Sequence, residues 1–498
     1  MAEIKDQHIV AIDLGTSKIA MAVARLNGDD AQIVYYKETA AAGIAHSGVI
    51  NMVQARTPLA HLVQDAEESL GIKINQAVIG MPKYPIRQES NSGKIMDRGE
   101  YTEITQEDVD NLKRFAQETY PLQDVDKEAI YGAVAQSFSD GENFQIKEDD
   151  IVGMSSDVLE GHFKIFIGRR KELINADALL AKVGLSARKK YFTADTTARV
   201  VLSENEMENG VALVDLGGGC TSVTIYHDNI MRHYASIPFG GRNVTHDIKS
   251  ELQITERLAE NIKMAFGACV PEKLQNMSEK VLHIIDNNSI QDKQVPVKYL
   301  SEIITARMEE IIEVVLHEIE KSGLAEHLRC GIVVTGGAAQ IANLAIMINE
   351  MSGYTVRIGY PNCELSGYDV DEAHEVYAAT IMGLITAAMK EEKMNCAVDI
   401  TDHHKEKKET EETEETADMV EINEVKEVEE VEEVEEVLDE SNKDEEVTEK
   451  EEEPKEKKPS WVKIAWGKAQ KIGASVTSWI DGITDNEDED NEDEDDEE

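Results

Sequence analysis

Hydrophobic positions along the chain form short apolar runs bounded by acidic or glycine turns, and longer runs with three-to-four spacing. Ile9–Val23 (IVAIDLGTSKIAMAV) reads as strand, acidic residue, glycine-hydroxyl turn, strand. Val211–Tyr226 (VALVDLGGGCTSVTIY) repeats that arrangement in the second half of the chain. Gln32–Ala40 reads as a further strand, and Val78–Met81 as a short buried strand stopped by Pro82. Thr57–Leu70 has helical spacing, with Leu59, Leu62, Val63, Ala66 and Leu70 on one face. From Lys83 to Gly161 the pattern turns polar and turn-rich, with one helix at Gln106–Thr119, and reads as an inserted domain. Phe163–Ile167 brings the chain back to a sheet, Glu172–Val183 is helical, and Thr193–Glu206 reads as one helix joining the two halves. Ile230–Ile237 is a strand, and Thr255–Phe266 and Val297–Ser322 are amphipathic helices. Gly331–Asn343 (GIVVTGGAAQIAN) reads as strand, glycine turn, helix, with unpaired amides at a helix start at Ala338–Gln340. His374–Met389 is the small, apolar kind of helix that buries against a sheet. Hairpins alternating with helices predict an α/β fold with sheets that are parallel in part.

The pattern collapses at Cys396. Residues 396–459 are rich in Glu, Lys and Thr, with Val425, Val428, Val431, Val434 and Val437 at a period of three that suits neither helix nor strand. They read as a disordered acidic linker, or else a transient charged helix; a flexible chain of that length reaches ~45 Å. Periodicity resumes at 460–484, SWVKIAWGKAQKIGASVTSWIDGIT, which holds all three tryptophans. Trp461, Trp466, Ile472, Val476, Trp479 and Ile480 fall on or beside one apolar helical face. Such a helix is about 35 Å long, and its lysines and glycines make it unsuited to spanning a bilayer. It suits a membrane surface; the other reading is a helix that docks on a partner or on the chain itself. Residues 485–498 are an acidic tail.

Formal net charge is −49 over 498 residues, which predicts no nucleic-acid partner. Residues 396–498 carry 41 acidic against 12 basic side chains, so 1–395 has the ordinary acidity of a soluble protein. Five scattered cysteines without CxxC spacing point to a reducing compartment, without disulfides or a zinc site. No leader pattern and no apolar window of about 18 residues is present, so the expectation is a cytoplasmic protein.

Candidate chemistry lies in the two hairpins. Glycines at 217–219 allow a tight turn and close approach of backbone amides to an anion, and an aspartate at the strand end is placed to hold a hydrated metal. Alone, a glycine-rich hairpin is often only a turn. The echo at Asp13–Lys18 suggests two related half-domains facing one phosphate tail.

DLGTSK at Asp13–Lys18, DLGGG at Asp215–Gly219 and VTGGAAQ at Val334–Gln340 resemble the two phosphate hairpins and adenosine turn of the actin/Hsp70/sugar-kinase superfamily. IPFGGRNVTHDI (Ile237–Ile248), AENIK (Ala259–Lys263) and GIVVTGGAAQIANL are similar to the FtsA family of bacterial cell-division proteins, and SWVK…SWI resembles its membrane-targeting helix. The matches run across 1–395 and resume at 460–483. The resemblance implies an actin-like two-lobed fold with duplicated RNase H-like cores. Subdomain 1A would comprise 1–82, 162–200 and 378–395, and an inserted FtsA-type subdomain 1C would be 83–161. Subdomain 2A would comprise 201–241 and 327–377, with 2B at 242–326. It further implies ATP with Mg2+ oriented through water by Asp13 and Asp215. Gly15, Thr16, Ser17, Lys18, Gly217, Gly218, Gly219 and Thr221 would take the phosphates. Gly336, Gly337 and Ala338 would take the α-phosphate and ribose side, and Lys263 would lie near the adenine. Lys18 could instead be a surface strand residue, and Lys263 a solvated one paired with Glu260.

As function, the resemblance implies a protein that ties the FtsZ ring to the cytoplasmic face of the inner membrane at the septum. Its partners would be the FtsZ C-terminal tail on 242–326 at Arg307, lipid, other divisome proteins, and further copies in actin-like polymers. Arg307 could instead serve only an intrahelical pair with Glu310. A pilus-assembly or other actin-like scaffold is the alternative. A sugar kinase lacks a candidate base, and a chaperone lacks a substrate domain after residue 395. Cys220 and Ser222 stand where the family often has threonine and aspartate. Arg199 stands where related ATPases position the attacking water, and Asp195 is the nearby carboxylate. Arginine cannot act as a base at neutral pH, so ATP binding with slow or no hydrolysis is expected.

Overall fold

The computed structural model describes residues 7–399 apart from 28–29, 97–101, 285–292, 363–369 and 392. The acidic stretch from 400 onward and the tryptophan-bearing segment 460–484 lie outside the described residues.

Two five-stranded sheets have the same order. In the first, Gln7–Leu14 pairs antiparallel with Lys18–Asn27, which pairs antiparallel with Asp30–Ala40. On its other side Gln7–Leu14 runs parallel to Gln76–Gly80, which runs parallel to Ser186–Tyr191. In the second, Val211–Leu216, Thr221–His227 and Ile230–Ile237 form the antiparallel half. Ile332–Thr335 and Val356–Ile358 continue it in parallel. The repeat seen in the two hairpins is therefore a repeat of whole sheets. Every residue of Val211–Leu216 is buried, as expected of a strand covered on both faces.

Helices fill the faces. Ala379–Met389, nearly all apolar, packs between the first sheet and helix Thr193–Val201. A Cβ at Gly383 would stand 2.5 Å from the Thr196 carbonyl oxygen, so only glycine lets these helices approach so closely. Met52–Leu70 buries Leu59, Leu62, Val63 and Ala66 of the stripe read from the sequence, adds Ala55, and leaves Leu70 half-buried at its end. Val297–Lys321 runs through the core of the second lobe, burying Leu300, Ile304, Met308, Ile311, Ile312 and Val315.

Three expected elements differ. Thr193–Glu206 is not one helix: it breaks at Leu202, and Glu204–Asn209 starts afresh behind Ser203, whose side chain forms a capping box with Glu206. After Ile332–Thr335 the chain makes only a 3-10 turn at Gly337–Gln340, and the α-helix begins at Leu344 behind a left-handed Asn343. Phe163–Ile167 lies in Leu159–Arg169, the middle strand of a separate three-stranded sheet with Ile86–Ile95 and Glu128–Ser139. Helix Gln106–Glu118 covers that sheet, capped by Thr105 and Asp108, and buries Val109, Leu112 and Ala116. At the other end of the described chain, Ala397–Asp399 is a short strand paired with Ile72–Ile74.

Three rings join these sheets. Phe166, from the three-stranded sheet, stacks on Phe192 with centroids 4.7 Å apart and meets Tyr234 of the second five-stranded sheet edge-on at 6.0 Å. Phe192 meets Tyr234 at 5.2 Å. Phe166 is fully buried, so Phe166→Ala removes both of its contacts and leaves a cavity. The expected loss is about 3–5 kcal/mol, read as a lower denaturant midpoint at unchanged slope. A loss below about 1 kcal/mol would mean that the ring does not join the sheets.

Candidate functional site

The two antiparallel hairpins end side by side. Asp13 lies opposite Ala20 and Asp215 opposite Ser222, each one residue before the strand ends. At the turns the chains touch. A Cβ on Gly219 would stand 2.6 Å from Thr16 Oγ1, and one on Gly218 would overlap Ser17 Oγ. Among the described residues, the amides of Thr16, Ser17, Gly218 and Gly219 donate to no backbone carbonyl. The carbonyls of the second turn are held from behind: Gly241 N donates to Gly217 O at 2.9 Å and Arg242 N to Gly218 O at 2.8 Å. The first turn of helix Gly241–Leu252 thus fixes the glycine loop; Gly217 N closes the turn onto the Cys220 carbonyl at 3.0 Å, while the Gly218 and Gly219 amides stay open.

The third glycine turn closes against Asp215. Gly336 has φ 89°, and a Cβ there would stand 2.5 Å from Asp215 Oδ1 and 2.6 Å from the Leu216 carbonyl oxygen. Both the dihedral and the space demand glycine. Ala338 is buried beside Gly241, and Lys263 lies on the same side. Lys263 Nζ donates to the Gly241 carbonyl at 3.0 Å, to Thr245 Oγ1 at 2.8 Å and to Glu260 Oε2 at 2.8 Å. The pairing with Glu260 and the position beside the turn are both present.

Two lysines meet the carboxylates. Lys83 Nζ lies 2.5 Å from Asp215 Oδ2 and donates to Thr380 Oγ1 at 3.0 Å. Burial opposes its charge, but Asp215 and Asp13 outweigh burial and hold its pKa above the ordinary lysine value. Burial raises the Asp13 carboxyl, against the pull of Lys83 and Lys18. Lys18 pairs with Glu38 and sits 3.9 Å above the Tyr377 ring; burial lowers its pKa, and Glu38 resists that. It is therefore a half-buried cation beside the cleft rather than a surface residue.

Other expected residues are engaged elsewhere. Thr221 is fully buried and donates its hydroxyl to the Phe239 carbonyl at 2.8 Å. Arg199 pairs with Asp195 at 2.8 Å, and the other Asp195 oxygen accepts from the Tyr226 hydroxyl at 2.9 Å. Cys220 is buried and burial pushes its thiol up to about 11. Ser222, directly across from Asp215, puts a hydroxyl where a carboxylate would add like charge. In the second lobe Arg307 donates Nε to Asp247 at 2.5 Å, Nη2 to Asp247 at 3.2 Å and Nη1 to Glu310 at 2.5 Å.

Lys83, Thr380, His46 and Ser47 were not foreseen. Lys83 follows the strand parallel to the one bearing Asp13, beyond the carboxyl end where crevices form in such sheets. The Pro82–Lys83 step after an apolar run was its one sequence signal. His46 and Ser47 bridge the hairpins: His46 Nδ1 lies 2.6 Å from the Gly219 carbonyl oxygen, and Ser47 N donates to Thr16 Oγ1 at 3.1 Å. Both have left-handed backbones, with φ 47° and 65°, which no residue-type pattern announces.

A model of the family described as cell division protein FtsA matches residues 212–383. Cell division protein FtsA of Neisseria meningitidis serogroup B is 31% identical over 396 residues, 78% of this chain and 92% of that protein. The Borreliella burgdorferi protein of the same name is 28% identical over 403 residues, 80% of this chain and 95% of its own. Among solved structures, a PilM-PilN type IV pilus biogenesis complex matches with TM-score 0.53 at 10% identity, covering 77% of this chain and 99% of that one. At that identity the likeness concerns the fold alone, the actin-like α/β arrangement of two repeated sheets. The Neisseria match extends over nearly the whole of that relative, and this chain belongs to the FtsA family of cell division proteins.

Proposed function

We propose that the chain binds ATP with Mg2+ between the two hairpins and serves as the tie between the FtsZ ring and the cytoplasmic face of the inner membrane at the septum. One observation carries the nucleotide reading: two glycine turns with open amides face each other, each beginning two residues past a cleft-side aspartate. A triphosphate needs many donors and little side-chain bulk, and Mg2+ needs only one or two carboxylates and water beyond the phosphates. The residues present fit both requirements.

Gly15, Thr16, Ser17, Gly218 and Gly219 would offer amides and hydroxyls to the β- and γ-phosphates, and Gly217, whose own amide donates to the Cys220 carbonyl at 3.0 Å, would shape the turn. Lys18 acts by its charge from beside the turn, and Thr221 by fixing the second hairpin to Phe239. Gly336, Gly337 and Ala338 bound the ribose and α-phosphate side, and Lys263 stiffens the wall near the adenine. Asp13 and Asp215 would hold a hydrated Mg2+, which would supply charge neutralisation to the phosphate oxygens. Asp195 is engaged with Arg199 and Tyr226 and provides no free base, so hydrolysis is slow. ATP then acts by biasing the closure of the lobes, and with it self-association into actin-like polymers.

The attachment reading rests on sequence. Segment 460–484 carries Trp461, Trp466, Ile472, Val476, Trp479 and Ile480 as a membrane-binding face on a long tether, and it lies outside the described residues. Among the described residues no helix is long and apolar enough to cross a membrane. The FtsZ tail docks on the 242–326 surface. There Asp247 fixes the Arg307 guanidinium, and a peptide carboxylate replaces Glu310, the more exposed partner.

Titration with a fluorescent ATP analogue tests the cleft. Gly219→Ala drives a methyl into Thr16 and parts the turns, so affinity is expected to fall tenfold or more; unchanged affinity would reject the hairpin site. Flotation with anionic vesicles tests the anchor. Binding is expected to be weakly salt-dependent, because hydrophobic insertion dominates, and to be lost in Trp466→Glu/Trp479→Glu. Full binding by that double variant would reject the helix as anchor.

A further inference from the structure

One cation in the cleft is left over by the nucleotide reading. Lys83 extends from the first lobe, yet its ammonium pairs with Asp215 at the end of a strand of the second. Its side chain is 12% exposed and that of Asp215 8%. Its backbone is fixed too: the Tyr234 hydroxyl donates to the Lys83 carbonyl at 2.9 Å, and the next ring, Tyr84, packs on His46 at 5.6 Å. This geometry is unlike a solvent-facing pair, where two mobile side chains contribute little.

The physical need is plain. The Asp13 and Asp215 hairpins touch at their turns, so two negative charges face one cleft; burial raises the cost of ionising Asp13, and the Asp215 charge adds to it. Two such carboxylates without a cation would repel across the seam between the lobes. A hydrated divalent ion would satisfy them, but a metal held by carboxylates and water alone binds weakly until phosphates complete its shell. The chain must compensate this charge from its own residues beforehand, and Lys83 is the residue placed to do so.

We propose that Lys83 is a built-in stand-in for the divalent cation: without nucleotide it neutralises the Asp13–Asp215 pair and ties the lobes, and with Mg2+ and ATP it leaves Asp215 for the terminal phosphate. The second half rests on the nucleotide reading above; the first does not. Lys83 is thus a positioning residue that competes with metal for Asp215. The γ-phosphate adds negative charge that ADP lacks, so the released ammonium also favours ATP over ADP.

The test uses the full chain as wild type, Lys83→Met and Lys83→Met/Asp215→Asn. Thermal unfolding is followed without nucleotide, with and without millimolar MgCl2 at constant ionic strength. The expected result is a lower Tm for Lys83→Met, recovered by Mg2+ alone, with no Mg2+ effect on wild type. The double variant, which also removes a carboxylate charge, should regain stability without Mg2+. A Lys83→Met chain whose Tm is normal, or whose loss is untouched both by Mg2+ and by the second substitution, overturns the counter-ion role. If Lys83→Met does not fold, the double variant decides: folding without Mg2+ supports the proposal, and failure overturns it. ATP and ADP affinities are then compared, in the double variant too if it alone folds. Loss of Lys83 should cut the ATP preference about tenfold or more, the size of a charge-assisted hydrogen bond. An unchanged ratio overturns the phosphate half. If wild type binds neither nucleotide, the nucleotide reading fails, while the Mg2+ rescue still judges the stand-in.

Discussion

The two lobes meet at two carboxylates, Asp215 buried and Asp13 half-buried, and much of the architecture follows from having to place both at one cleft without letting their charges push the lobes apart. Each sits one residue from the end of an antiparallel strand pair, in sheets of identical order. The repeat brings the two turns to the same level. The close packing of Ala379–Met389 on Thr193–Val201, made possible by Gly383, sets the interior against which the first hairpin is built. Glycine at 336 lets the third turn approach Asp215 closely. A lysine from the neighbouring strand end supplies the compensating charge.

The same residue links the cleft to the inserted sheet. Lys83 stands three residues before strand Ile86–Ile95, and its carbonyl is held by Tyr234, a member of the ring cluster with Phe166 and Phe192. Gln88 extends the seam: its side chain accepts from Tyr234 N at 3.0 Å and meets His233 Nδ1 at 2.8 Å. His233 is held to about 4 by burial, aided by the nearby Lys164, so it stays neutral near neutral pH and does not bring a charge into this seam. Asp215, Lys83, Tyr234 and Phe166 thus form one contiguous chain of contacts from the cleft to the three-stranded sheet.

Much of the fold was legible because its elements obey simple periods. The hairpins at Ile9–Val23 and Val211–Tyr226 have buried strands and glycine turns, and their likeness disclosed the repeat. The stripe of Met52–Leu70 was equally plain. Misreadings arose where short-range chemistry interrupts a period. Ser203 and Glu206 start a second helix inside an apparently continuous one, and Asn343 delays a helix that the spacing begins earlier. Alternation in Phe163–Ile167 announced a strand but could not say which sheet would receive it. In the site, backbone-defined parts were visible, since glycine spacing reports backbone geometry. The side-chain partners were not: Lys83, His46 and Ser47 come from loops whose arrival depends on tertiary packing, and Thr221 faces Phe239 because the pleat turns it inward.

The central claim is that both hairpins hold one nucleotide together. Hydrogen–deuterium exchange at the amides of Thr16, Ser17, Gly218 and Gly219, which have no backbone acceptor in this structure, tests it most directly. Addition of Mg2+ and ATP is predicted to slow exchange at both turns at the same nucleotide concentration. Protection confined to one turn, or appearing only elsewhere in the chain, would contradict the account.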